Sequence, residues 1–255
     1  MIAKKLKYKS VFISDSHLGS KGCKAKSLYE FLDSIDGRVE KLFLVGDIVD
    51  LWAMKIKWYF PQKHSNVLRK FLGIAKRSET EVIYIPGNHD EDCREMIGHE
   101  FGKIKIMEDY VYTGINGKVY WILHGDVFDI FMHDSHKWIS FAGTILYEWL
   151  LMINHVYNKT RKMFGMEYWS LAKHIKTKVK DVTKVINQYE TTLTNVAKNK
   201  GYDGVICGHI HKPEILTIQG IEYLNCGDWI ENCSALIETI DGKFELINFG
   251  GGHND

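Results

Sequence analysis

The stretch Val82-Ile83-Tyr84-Ile85-Pro86-Gly87-Asn88-His89-Asp90 decides how this chain is read. Its apolar run has the character of a strand, and Pro86-Gly87 ends it in a turn. The turn sets an amide and an imidazole side by side, where a loop aims both at a ligand without burying backbone polar groups. Four other segments follow the same plan: Val11-Phe12-Ile13-Ser14-Asp15-Ser16-His17, Leu42-Phe43-Leu44-Val45-Gly46-Asp47, Val119-Tyr120-Trp121-Ile122-Leu123-His124-Gly125-Asp126, and Val205-Ile206-Cys207-Gly208-His209-Ile210-His211. Five strand ends carrying Asp, Asn or His imply one shared site.

Outward from these ends the chain alternates. Asp15 and His17, one residue apart, are expected to leave the same face of an extended segment. Leu28, Phe31, Leu32 and Ile35 then fall at helical spacing, and so do Val67, Leu68, Phe71, Leu72 and Ala75. This β-α-β-α-β rhythm predicts an α/β fold with its ligands at the carboxyl ends of the strands. Residues 104–124 read as short strands, with Asn116-Gly117 a hairpin turn. After His211, further short strands follow over 215–218, 222–226, 234–238 and 244–249, and the tail 250–255 reads as flexible.

Between the two halves, residues 133–200 read as a helical insertion within a single domain over 1–255. Its first part, from Trp138 to Ile153, is almost wholly apolar, yet Glu148 interrupts it and it falls short of the ~20 residues that span a bilayer. Between His155 and Lys200 ten Lys or Arg stand against Glu167, Asp181 and Glu190. An apolar helix beside a basic one suits an anionic lipid surface or an amphiphilic phosphorylated ligand, and equally a helical cap with a solvated face.

Composition sets outer limits. With 255 residues, 45% of them hydrophobic, the chain can bury a full core, and its net charge of +1 gives no global field for nucleic acid. Five scattered cysteines without a C-x-x-C pair point to a reducing compartment and no zinc ribbon, and the basic N-terminus lacks the apolar segment of a secretory signal. A cytoplasmic protein is expected.

Asp15, His17, Asp47, Asn88, His124, His209 and His211 give seven candidate metal ligands, too many for one ion and suited to two that share a carboxylate. Two divalent ions can clamp a phosphoryl oxygen and activate water for in-line displacement. Mixed Asp, His and Asn donors without thiolate favour Mn²⁺, with Fe²⁺ or Zn²⁺ as alternatives. Phosphoester hydrolysis is the chemistry this set supports.

These motifs, D-x-H at Asp15-Ser16-His17, G-D at Gly46-Asp47, G-N-H-D at Gly87-Asn88-His89-Asp90, H-G at His124-Gly125 and G-H-x-H at Gly208-His209-Ile210-His211, resemble those of the calcineurin-like metallophosphoesterases. The resemblance implies two packed mixed β-sheets flanked by helices, an αββα sandwich. It implies that Asp15, His17, Asp47 and His211 hold one ion and that Asp47, Asn88, His124 and His209 hold the other, with Asp47 as bridge. His89 would face the substrate as a catalytic group, with Asp90 fixing its orientation, while Asp50, Asp126 and Asp228 serve as supporting groups. Within the family, Gly46-Asp47-Ile48-Val49-Asp50-Leu51-Trp52, the long insertion and Gly227-Asp228-Trp229 are similar to the UDP-2,3-diacylglucosamine pyrophosphatases of lipid A synthesis. That group cleaves its substrate to UMP and an acylated sugar phosphate, and its insertion caps the acyl chains at the inner membrane. The likeness therefore implies an amphiphilic phosphorylated substrate and peripheral membrane association. One departure stands out: the best-known members of that group carry Arg at the position of His89, so Lys173, Lys176 and Lys180 of the insertion are candidates to supply the missing charge. A nuclease or phosphodiesterase for nucleotides would use the same core, but the apolar insertion and near-zero net charge count against it. A non-catalytic scaffold of this fold would typically have lost ligands, and none is missing.

Overall fold

The computed structural model describes residues 6–77, 79–131 and 179–249. The chain divides into two compact units, one formed by Met1–Asp126 with Thr191–Asp255 and the other by Val127–Glu190. Of the second unit, the described residues lie in a 3-10 turn within Asp126–Phe131 and in the first half of helix α4 (Val179–Asn199). The apolar segment 138–153, the basic residues Lys173 and Lys176 and the tail 250–255 lie outside the described residues.

The first unit holds both sheets. One has seven strands: β1 (Tyr8–Ile13), β2 (Val39–Val45) and β3 (Glu81–Ile85) lie parallel beside β5 (Ile104–Ile106), the two-residue β4 (Glu100–Phe101) closes one edge, and β11 (Ser234–Thr239) and β12 (Phe244–Asn248) close the other. The second has five, in the order β6 (Tyr110–Thr113), β7 (Val119–Ile122), β8 (Gly204–Cys207), β10 (Ile221–Asn225) and β9 (Glu214–Ile218). Strands β7, β8 and β10 are mutually parallel. Both sheets are mixed, as expected. Asn116-Gly117 makes the β6–β7 hairpin, where Gly114 N donates to Lys118 O (2.9 Å) and Gly117 takes a φ of 78° that suits glycine.

The central strands are buried on both faces, which is why they read as unbroken apolar runs. Val11, Ile13, Leu42, Leu44 and Val82 pack with helices α1 (Ala25–Ile35) and α3 (Gln62–Arg77), whose Leu28, Phe31, Leu32, Ile35, Val67, Phe71 and Ala75 belong to the predicted helical stripe, with Ile74 beside them. The alternate residues Phe12, Phe43, Val45, Ile83 and Ile85 meet Tyr112, Tyr120, Ile122, Ile206 and Leu224 of the other sheet. The period of two assigns one set to the helices and the other to the sheet interface. At that interface Phe12 and Phe43 stack with centroids 4.9 Å apart, and Tyr112 meets both rings edge-on at 5.7 and 5.6 Å. The Tyr112 hydroxyl accepts from Ser10 Oγ (2.7 Å) and donates to the buried Glu238 carboxylate, pinning sheet to sheet.

Phe43→Ala empties the space between both aromatic partners and should lower unfolding free energy by about 3–5 kcal/mol, read as an earlier urea midpoint with an unchanged slope.

Candidate metal centre

All five polar clusters lie just past strand ends, and the parallel strands β1, β2, β3, β7 and β8 bring them to one edge of the sandwich. The loops are laced to one another by main-chain bonds: Asp15 N to Gly46 O (3.0 Å), His17 N to Asp47 O (2.9 Å), Leu18 N to Ile48 O (2.9 Å) and Asp50 N to Leu18 O (2.8 Å). The expectation that Asp15 and His17 project from an extended segment is corrected here. Strand β1 ends at Ile13, and Asp15 and His17 have φ of 51° and 45°. The loop-to-loop bonds take the backbone out of extension and into the left-handed region. Asp47 (54°), His209 (71°) and His211 (52°) share it, so five of the eight described non-glycine residues with positive φ are candidate ligands. Side chains there cost of order 1–3 kcal/mol each and persist where surrounding structure overdetermines them.

The side chains converge. One donor atom each from Asp15, His17 and His211 fall within 4.8 Å of one another, as do those of Asp15, Asp47 and His124 and those of His17, Asp47 and His89. His17 Nε2 and His211 Nε2 stand 3.3 Å apart, His211 Nε2 is 3.1 Å from Asp15 Oδ1, and His124 Nε2 is 3.4 Å from Asp47 Oδ2. His209 joins them, its ring 5.1 Å from that of His124 and its backbone N–H donating to Asp15 Oδ2 at 2.9 Å. Glycine is what lets the loops close so tightly. A Cβ on Gly46 would lie 2.1 Å from His124 Nδ1, and one on Gly87 would lie 2.3 Å from Asp47 Oδ1.

The electrostatics are those of a cation site. Burial works against the Asp47 carboxylate, yet His124, His17 and His89 hold it well below the usual carboxylate range. Against the same cost, His211 and His124 lower Asp15. Burial would push the imidazoles down, but Asp47 and Asp15 raise His124 well above its ordinary value, and Asp15 with Asp228 raises His211 to about 9. Protonated imidazoles here stand in for positive charge that the carboxylates demand. Three buried polar atoms of the cluster, Asp15 Oδ1, Asn88 Oδ1 and His124 Nε2, receive no hydrogen bond. His124 Nδ1 donates to Val45 O (3.0 Å), so Nε2, where Asp47 favours a proton, is the nitrogen that a cation would take in that proton's place. Buried carboxylate and amide oxygens beside imidazole nitrogens that can exchange a proton for a cation are what divalent ions take as ligands, so the residues fit metal.

Asp50 organises the His89 side of the cluster. Its Oδ2 holds His17 Nδ1 (3.1 Å) and its Oδ1 holds His89 Nδ1 (3.0 Å), while Oδ1 also accepts from Ala53 N (2.8 Å) and so caps α2 (Leu51–Ile56). The indole of Trp52 lies 4.7 Å from the His89 ring, tilted by 36°. The role expected of Asp90 is thereby corrected: it does not orient His89. Its carboxylate accepts from the amides of Asp47 (3.2 Å), Ile48 (2.7 Å), Val49 (3.2 Å) and Gly87 (2.6 Å), and so clamps the β2 and β3 loops together. The same spacing that placed Asp90 beside His89 in sequence turns its side chain back toward those amides. Asp228 accepts from Ile230 N (2.8 Å) and Glu231 N (2.6 Å), and Asn232 Nδ2 donates to His211 O (3.0 Å), a support for His211 that sequence reading did not find because no motif marks it. Of the lysines proposed for substrate, Lys180 lies in the first turn of α4.

Asp50→Asn keeps a residue suited to capping α2 but removes the carboxylate that fixes His17 and His89. It should weaken divalent metal binding by about 10–100-fold, measured by titration of the metal-free protein, with little change in melting temperature.

A profile of the calcineurin-like phosphoesterase family matches residues 8–213. The UDP-2,3-diacylglucosamine hydrolase of Aliivibrio fischeri is 23% identical over 248 residues, covering 92% of this chain and 96% of its own. The protein of the same name from Haemophilus influenzae is 23% identical over 244 residues, covering 93% and 98%. Among solved structures, an archaeal phosphodiesterase superposes with a TM-score of 0.47 at 15% identity, covering 94% of this chain and 98% of that one. The family profile runs from the start of β1 through His211 and so takes in every strand end of the centre: the chain belongs to the calcineurin-like phosphoesterases and is a metal-dependent phosphoesterase.

Proposed function

We propose that this enzyme hydrolyses the diphosphate of UDP-2,3-diacylglucosamine, or of a closely related amphiphilic nucleotide diphosphate, to UMP and a lipid-sugar phosphate. The observation that carries the reading is the extent of the likeness. Proteins named UDP-2,3-diacylglucosamine hydrolase align with 91–94% of this chain and 93–98% of their own, which leaves too few unmatched residues to exclude the 127–190 unit.

Asp15, His17, Asp47 and His211 would hold one divalent ion and Asp47, Asn88, His124 and His209 a second, with Mn²⁺ the best match to the donors. Bound there, the ions supply charge neutralisation at the phosphoryl oxygens and a nucleophile at neutral pH. The chain's own groups do the rest. Asp47 would join the two halves of the centre, because its carboxylate lies within reach of both His17 and His124. His89 spends Nδ1 on Asp50, so Nε2 is the nitrogen left to meet the substrate. Burial opposes its charge, but the bond to Asp50 and the nearby Asp47 raise its pKa, which keeps a proton available for the phosphoryl or leaving oxygen. Trp52 against the ring limits its rotation. We assign the acyl chains to the 127–190 unit on the apolar character of 138–153, with Lys173, Lys176 and Lys180 as contacts for substrate phosphate. Such a substrate would be met at the cytoplasmic face of a membrane.

The test is UMP release from UDP-2,3-diacylglucosamine in detergent by the Mn²⁺-loaded protein, beside a soluble aryl phosphodiester. Fast UMP release, lost with a chelator and restored by Mn²⁺, is expected. Asp47→Ala should reduce it by more than about 10²–10³-fold. Turnover of the aryl ester alone would retain the metal chemistry and sink the substrate.

A further inference from the structure

Residues 51–78 carry seven Lys or Arg and no Asp or Glu, in a chain whose net charge is only +1. This stretch is α2, a short connector and α3. At the junction Lys55, Ile56, Lys57 and Trp58 are exposed in succession, Ile56 at 63% and Trp58 at 75%, the latter the most exposed of the described large hydrophobic residues. Gln62, Lys63, Arg69 and Lys76 continue an exposed polar and basic face along α3. Lys55 is engaged by Asp92 (2.7 Å) and Lys70 by Asp33 and Asp36, whereas Lys57 and Lys63 form no ion pair among the described residues.

The exposed knuckle is held firmly from below. Tyr59 and Phe60 set their rings edge-on to His64 at 5.7 and 5.6 Å, and His64, fully buried, accepts from Gly19 N at Nδ1 (2.9 Å). Gly19 lies two residues beyond His17. At its other end α2 starts from Asp50 and packs Trp52 against His89. Its six residues rise about 9 Å, so the knuckle sits beside the substrate side of the metal centre.

We propose that this α2–α3 junction is a docking surface for an anionic bilayer. Trp58 and Ile56 enter the headgroup boundary while Lys57 and Lys63 meet lipid phosphates. An indole with an aliphatic neighbour, interleaved with lysines, suits that boundary, where aromatic rings settle and each basic residue gains attraction to anionic lipid. A second copy of this surface would meet it with like charge, and a nucleic acid strand would gain nothing from Ile56. The inference deepens the reading of an amphiphilic substrate and rests on it for its purpose: docking here turns the His89 side of the centre toward the membrane that holds the substrate.

The experiment is co-sedimentation of the full-length, metal-loaded protein with phosphatidylglycerol–phosphatidylcholine vesicles, with pure phosphatidylcholine vesicles and a single-stranded oligonucleotide as comparison arms. Binding to the anionic vesicles is expected. It should fall by about tenfold or more in both Ile56→Ser/Trp58→Ser and Lys57→Glu/Lys63→Glu, at unchanged melting temperature and unchanged hydrolysis of a soluble aryl phosphodiester. Variants that bind vesicles as the parent does would overturn the proposal, and so would binding of the oligonucleotide alone. The two readings separate cleanly. Trp58-dependent vesicle binding without UMP release leaves the surface and removes the substrate, whereas UMP release in detergent with Trp58-independent vesicle binding does the reverse.

Discussion

Two carboxylates, Asp15 and Asp47, lie fully buried within reach of the same imidazole, His124. Burying one charge is costly and burying two of like sign beside each other more so, unless positive charge is brought to them. Much of the edge of this fold meets that constraint. Strands from both sheets end at the same level, which lets histidines from β1, β7 and β8 surround carboxylates from β1 and β2. Gly46 and Gly87 let the loops approach to distances that a methyl group would forbid. Left-handed backbone at Asp15, His17, Asp47, His209 and His211 turns each side chain inward at the end of its strand. That strain is tolerable because the sheets beneath, stacked through Phe12, Phe43 and Tyr112, leave the loops few other conformations.

The strands and their ends were readable because both causes are local. A strand buried on two faces must be apolar throughout, so Val11-Phe12-Ile13 and Leu42-Phe43-Leu44-Val45 announce themselves, and the polar residues that break each run are the ones the fold brings together. What the sequence hid is set between loops. No local preference distinguishes an extended Asp15-Ser16-His17 from one turned left-handed by bonds to Gly46 and Asp47. Asp90 follows His89 directly, yet the carboxylate that reaches the imidazole belongs to Asp50, thirty-nine positions earlier in the chain. Asp50 could be read as a helix cap from its place before Leu51, but its second oxygen meets His17 only once β1 and β2 are adjacent and parallel.

Asp50 also joins three jobs that are usually separate. It ends the β2 loop, starts a surface helix, and orients two histidines, one turned to the carboxylate pair and one packed on Trp52. A shift of the first turn of α2 therefore moves both imidazoles. Against the cost of burial His17 and His89 hold the Asp50 carboxylate low, the Ala53 amide bonds one of its oxygens, and the ionised carboxylate in turn favours protonated His89.

This arrangement bears on why histidine serves at position 89 where an arginine would give permanent charge. A guanidinium brings a fixed fork for diphosphate oxygens whatever its neighbours do. The charge of an imidazole depends on its partner, and here the partner is a carboxylate committed to a helix N-terminus beside Trp52. In the role proposed for it, His89 would stabilise developing negative charge and also release a proton to a departing oxygen, which a guanidinium cannot do at neutral pH. The charge of His89 is then tied to the placement of α2, which among the described helices starts at Asp50 beside the buried carboxylates and ends at the exposed, basic Lys55-Ile56-Lys57-Trp58.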